Sequence, residues 1–121
     1  MEKLTAKEEE IMQVMWQAGK GFVKDLMPLL PDPKPHYNTV STIIRNLEDK
    51  GYVSHTDYGG SHEYYPLVSK AQYRQTFMRK VVANYFDNSY KNLVSFFAEE
   101  EKLSAEEVKE ILDLIRRKKK K

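Results

Sequence analysis

The apolar residues of this chain keep a helical period almost everywhere and abandon it once. The template i, i+3, i+4, i+7 occurs at Ile11/Val14/Met15/Ala18, Val23/Leu26/Met27/Leu30, Val40/Ile43/Ile44/Leu47 and Val108/Ile111/Leu112/Ile115. At about 3.6 residues per turn each set lines one helical face, so each segment predicts an amphipathic helix with one buried side. After Gly51 the pattern changes. Tyr52-Val53-Ser54-His55-Thr56 and His62-Glu63-Tyr64-Tyr65-Pro66-Leu67 are β-branched and aromatic and flank Gly59-Gly60, which predicts a hairpin.

Boundary residues agree with that division. Thr5-Ala6-Lys7-Glu8, Ser69-Lys70-Ala71-Gln72 and Ser104-Ala105-Glu106-Glu107 fit the capping box, in which two side chains satisfy orphan donors at a helix start. Gly19 and Gly51 fit helix ends. Pro28, Pro31, Pro33 and Pro35 require the second helix to fade near Leu30 and the chain to turn before Tyr37. From Ser69 a longer helix to about Asp87 carries a broad apolar band, and Leu93, Val94, Phe96 and Phe97 form another patch. The fold class is therefore mostly α with a small β-hairpin. A winged helix-turn-helix is expected at 1–68, and a helical dimerisation region with a basic tail at 69–121.

Charge divides along the same line. Residues 1–68 carry 7 Lys/Arg against 10 Asp/Glu, a net of −3, and residues 69–121 carry 13 against 8, a net of +5. Six of those 13 form the run Arg116–Lys121, which reads as a solvated tail or an accessory nucleic-acid contact. A hydrophobic share of 40% suffices for a packed core. No apolar run approaches a membrane span and the acidic opening is unlike a signal peptide, so a cytoplasmic protein is expected. With no cysteine there is no disulfide, thiol nucleophile or thiolate metal site. The chain contains no nucleophile elbow, phosphate loop or His-Glu-x-x-His pair, so no enzyme activity, cofactor, metal or small-molecule ligand is expected.

Helix, helix, turn, helix, hairpin is the element order of a winged helix-turn-helix, whose third helix enters a DNA major groove while the hairpin lies on the backbone. At 100° per residue, Val40, Ile43, Ile44 and Leu47 share one side of the third helix. Asn38, Ser41, Thr42 and Arg45 lie away from it. A generic solvated face carries Glu and Lys in i, i+4 pairs, which are absent from Asn38 to Arg45. Asn pairs with adenine, Arg reaches guanine bidentately, and Ser or Thr contacts either, so this face suits base edges.

The run Tyr37-Asn38-Thr39-Val40-Ser41-Thr42-Ile43-Ile44-Arg45-Asn46-Leu47-Glu48-Asp49-Lys50-Gly51-Tyr52-Val53, with His55 and Tyr64-Tyr65-Pro66-Leu67-Val68, resembles the BlaI/MecI/CopY family of bacterial repressors. Leu4-Thr5 before Glu8-Glu9-Glu10-Ile11-Met12, Trp16, Asn92-Leu93-Val94 before Phe97, and Leu103-Ser104 extend the likeness over nearly the whole chain. The resemblance implies a homodimer on an inverted-repeat operator of double-stranded DNA, repressing resistance genes. In its β-lactam branch it also implies a membrane sensor metalloprotease as partner. Asn38, Thr39, Ser41, Thr42 and Arg45 would face the operator. The family commonly places a basic residue where Asn46 stands. Its cleavage region corresponds to Ser95-Phe96-Phe97, with Phe96-Phe97 replacing an Asn-Phe bond. The copper-responsive branch has a cysteine-rich tail, which this chain lacks.

Other residues carry narrower expectations. His36, Lys50 and His62 are candidate phosphate contacts. If the turn centres on Tyr58-Gly59, His55 faces His62; if it is Gly59-Gly60, His55 pairs with Tyr64 and His62 with Asp57. Trp16 is expected in the core and Tyr58 exposed at the wing tip. A 53-residue helical half cannot cover so much aromatic surface alone, so Tyr73, Phe77, Val81, Tyr85, Leu93, Val94, Phe97, Ile111 and Ile115 are expected at a dimer interface. Two rival readings are a winged-helix protein-interaction module, suggested by the net of −3, and an architectural DNA binder working through its basic tail.

Overall fold

The computed structural model describes residues 1–100 and 104–119, with backbone alone at Ile111 and at 115–119. Helix α1 (Ala6–Ala18) starts on a complete capping box: the Thr5 hydroxyl accepts from Glu8 N at 3.2 Å, and Glu8 Oε1 accepts from Thr5 N at 2.8 Å. It stops at Gly19, whose φ of +83° is costly for any residue with a Cβ. Helix α2 (Val23–Leu26) continues as a 3-10 turn (Met27–Leu29), after which the chain bends at Asp32-Pro33 before the next helix. Helix α3 (Tyr37–Asp49) follows.

Strands β1 (Val53–Tyr58) and β2 (Ser61–Pro66) pair antiparallel with His55 opposite Tyr64 and Asp57 opposite His62, so the turn is Gly59-Gly60. Both turn glycines have positive φ, 63° and 100°, as a two-residue hairpin turn with the strands' twist requires. Gly21 exchanges two backbone hydrogen bonds of 2.9 Å with Tyr64, adding a one-residue third rung to the hairpin. Nothing in the apolar pattern foretells that rung.

The core of the first half lies between the three helices and the hairpin base. Met12, Met15, Leu26, Val40, Ile44, Leu47, Tyr52 and Val53 are all at most 1% exposed. Each such side chain contributes roughly 1.5–3 kcal/mol by leaving water. Trp16 sits at the edge of this cluster rather than inside it, because its indole N–H reaches outward to the Val68 carbonyl at 2.8 Å. Its ring lies 5.5 Å from that of Tyr73.

The chain divides into two compact units, Met1–Thr76 and Phe77–Lys121. Helix α4 (Lys70–Tyr85), capped by Ser69 and Gln72, crosses the division. Tyr73 belongs to the first unit, packing on Trp16 and Tyr52 and donating to Glu9 Oε2 at 3.2 Å. Burial first, then the charge and hydrogen bond of Glu9, push its phenol up to about 12. In the second unit, α5 (Tyr90–Glu100) and α6 (Ala105–Lys119) follow. Asp87 and Asn88, both at positive φ, end α4, and Asn88 N donates to Val82 O at 3.0 Å. Among the described residues no helix is long and apolar enough to cross a membrane.

Candidate nucleic-acid interface

Helix α3 buries Val40, Ile44 and Leu47 completely and half-buries Ile43, which turns Asn38, Thr39, Thr42 and Arg45 outward and leaves Ser41 half-exposed. The expected polar face is therefore continuous. Arg45 Nη2 donates to Thr42 Oγ1 at 3.3 Å, and Thr42 Oγ1 donates to the Asn38 carbonyl at 2.9 Å. These bonds turn the guanidinium back along the helix toward Thr42.

Three contacts set α3 against its surroundings. Lys50, expected at a phosphate, is instead held inward: its ammonium lies 2.7 Å from Glu8 Oε1 and 3.2 Å from the Lys3 carbonyl. A buried carboxylate at 4% exposure demands that partner. Burial alone would raise the Glu8 carboxyl, but the Lys50 hydrogen bond, the Thr5 backbone N–H and the Lys50 charge together hold it below its ordinary value. At the other end of α3, His36 is the N-cap, its Nδ1 accepting from Asn38 N at 3.1 Å, which leaves one ring nitrogen for an outside partner. Near the last turn, Glu48 Oε2 lies 2.6 Å from His55 Nδ1 and fastens the hairpin to the helix.

Hairpin and helix enclose a cleft of about 550 Å³, which also reaches α2. Its lining brings together Ser41 and Arg45, both foreseen, with Phe22, Lys24, Tyr37 and Ser61, which the sequence reading did not place. The missed signal is the rung at Gly21, which draws the start of α2 toward β2. His62 also lines the cleft, and Tyr58 at its mouth is 57% exposed. Burial first, then the Glu48 charge, push the Tyr64 phenol up. Among the described residues no group of three or more His, Asp or Glu side chains is arranged to hold a metal.

A cleft lined by Arg45, Lys24 and hydroxyls beside an outward polar helix is the geometry of a winged helix-turn-helix. The family model described as penicillinase repressor matches residues 4–117. The chain belongs to the penicillinase repressor family. It is 23% identical over 119 residues to the methicillin resistance regulatory protein MecI of Staphylococcus aureus (strain N315), covering 96% of this chain and 95% of that protein. To the penicillinase repressor of Bacillus licheniformis it is 22% identical over 118 residues, covering 93% and 89% respectively.

Tyr73 is engaged within the first unit, as described. In the second unit Phe77 and Tyr85 are 47% and 78% exposed, Val81, Leu93 and Val94 are half-buried, and Phe97 is 40% exposed. The side chains of Ile111 and Ile115 and the basic run from Arg116 lie outside the described residues. Phe96 and Phe97 fall inside α5, their rings edge-on at 5.3 Å, and Phe96 also meets Phe86 at 5.5 Å. Their peptide bond is thus part of a helix rather than a loop.

Proposed function

We propose that the chain is a sequence-specific repressor that binds an inverted-repeat operator as a homodimer. The observation that carries this reading is the outward face of α3: Asn38, Thr39, Ser41, Thr42 and Arg45, free of carboxylates, above a fully buried Val40, Ile44 and Leu47. Family membership supports it, since the relatives are a penicillinase repressor and a regulator of methicillin resistance. Residues 1–68 serve as the DNA-binding part and 69–121 as the dimerisation part. Phe77, Val81, Tyr85, Leu93, Val94 and Phe97 make up the described part of the surface offered to the second copy.

Dimerisation belongs to the mechanism. The first 68 residues carry a net of −3, so one subunit has few cations with which to displace counterions from DNA and binds weakly. Two linked half-sites raise the effective concentration of each reading helix at the other's half-site. Cutting the Phe96-Phe97 bond by a sensor metalloprotease would separate α6 from the dimer and release the operator without touching α3. Because that bond is helical, cleavage would require local opening of α5 first.

The experiment is a pair of titrations with Asn38→Ala, on the preferred duplex and on a scrambled one. A loss of roughly 1–3 kcal/mol on the first alone, with relaxed preference at one base pair, is expected. Equal affinities of parent and variant on both duplexes would remove α3 as the reader.

A further inference from the structure

Arg45 and Lys24 both line the cleft between α3 and the hairpin, and among the described residues neither has a carboxylate within ion-pair distance. No Asp or Glu lines the cleft. The cleft of about 550 Å³ is therefore lined by two cations without a carboxylate partner, Lys24 lying 5.9 Å from the Phe22 ring, together with Ser41 and Ser61. Such a set of donors selects an oxyanion, and phosphate above all where an arginine is present.

One imidazole, His62, lines this cleft, and a second lies behind it outside the lining. His55 and His62 stack with ring centroids 4.0 Å apart and planes 9° from parallel. Glu48 Oε2, 2.6 Å from His55 Nδ1, offers one counter-charge to the pair. Two imidazolium rings face to face repel, so a second proton needs a second anion. Among the described residues no carboxylate makes an ion pair with His62. Asp57, opposite His62 in the register, accepts from Gly60 N at 2.8 Å, and Glu63 meets Lys20 at 3.9 Å and the Tyr58 hydroxyl at 3.5 Å. The phenols of Tyr37, Tyr58 and Tyr64 complete the surroundings.

We propose that the cleft between α3 and the hairpin seats a phosphate group, and that seating it draws one proton from solvent onto the stacked His55–His62 pair. DNA binding then tightens as pH falls through the imidazole range. The duplex source rests on the reading of the chain as a DNA-binding repressor; the phosphate seat itself does not. Arg45 on this account grips the strand's backbone instead of a guanine edge, leaving base reading to Asn38, Thr39 and Thr42, so its loss weakens binding to all sequences alike and lowers the salt slope by about one.

The test uses the full chain and follows its three histidine imidazoles by NMR from about pH 5 to 8.5, at fixed ionic strength. Three samples are compared: protein alone, protein with a mixed-sequence 24-base-pair duplex, and protein with dimethyl phosphate, whose charge is constant over this range. The His62 midpoint should rise with either phosphate source. A rise with the duplex alone identifies the strand backbone as occupant; a rise with dimethyl phosphate as well means that a free phosphodiester suffices. Duplex affinity by fluorescence anisotropy should be roughly five- to tenfold tighter at pH 6 than at pH 8, the linkage of up to one proton. His62→Gln should abolish that difference. An unmoved His62 midpoint with both probes, or the same pH dependence in His62→Gln, overturns the proposal. If dimethyl phosphate moves the midpoint while no duplex binds, the phosphate seat stands and the repressor reading fails.

Discussion

Replacing Glu8 by Gln removes one charge from the contact that joins the start of α1 to the end of α3. The Gln carbonyl still accepts from Thr5 N, so the capping box survives, but the Lys50 ammonium loses its counter-ion at 2.7 Å. At an effective dielectric of 20, that separation corresponds to about 6 kcal/mol of gross attraction. Desolvating a carboxylate side chain 6% exposed and an ammonium side chain 24% exposed offsets most of it. A net loss of roughly 2 kcal/mol remains, or a fall in Tm of about 6–10 °C for a chain of this size. The Glu8 carboxyl titrates below its ordinary value near 4.5, so its stabilisation is complete above that pH and is lost as pH falls through the folded-state value. Thermal melts of parent and variant should therefore differ fully at pH 7 and converge in acid, below the ordinary carboxylate value. Lys50→Met added to Glu8→Gln should recover much of the loss, because no unpaired charge is left behind. Equal melting at pH 7, or a gap that widens in acid, would refute the reasoning.

Two further outcomes follow from other parts of the chain. Tyr52, Tyr64 and Tyr73 all have phenols raised by burial, Tyr73 to about 12, so their neutral forms stabilise the fold below about pH 10 and that contribution is lost as pH climbs higher. Ultraviolet titration should find tyrosines ionising late and together with unfolding; simple titration of all eight near pH 10 would contradict their burial. Phe97→Asp, which puts a charge on the proposed intersubunit surface, should shift sedimentation from two chain masses toward one at micromolar protein. An unchanged dimer would remove Phe97 from that surface.

Much of the fold was legible because each element carried two independent signals. Helix α1 had an apolar stripe and a capping box, and both are present; the hairpin had alternating strands and Gly59-Gly60, and the turn forms there with both glycines at positive φ. The register that the strand pattern left open was decided by that turn. What escaped notice depends on distant pairs. Lys50 read as a free cation because nothing local announces that Glu8, 42 positions earlier, is buried beside it. Tyr73 read as part of an aromatic ladder, yet its ring closes the first unit against Trp16 and Tyr52. The polar face of α3 was visible from its period alone, whereas the cleft beside it required the rung between Gly21 and Tyr64, a contact of two backbones that side-chain patterns do not encode.

The claim that this penicillinase repressor family chain is a dimeric sequence reader is tested most directly by selecting bound DNA from a random duplex pool near physiological salt. The account predicts enrichment of an inverted repeat whose half-sites lie about one helical turn apart, the spacing set by two reading helices in successive major grooves. Salt-sensitive binding to every duplex without enrichment, or no binding at all, would contradict it.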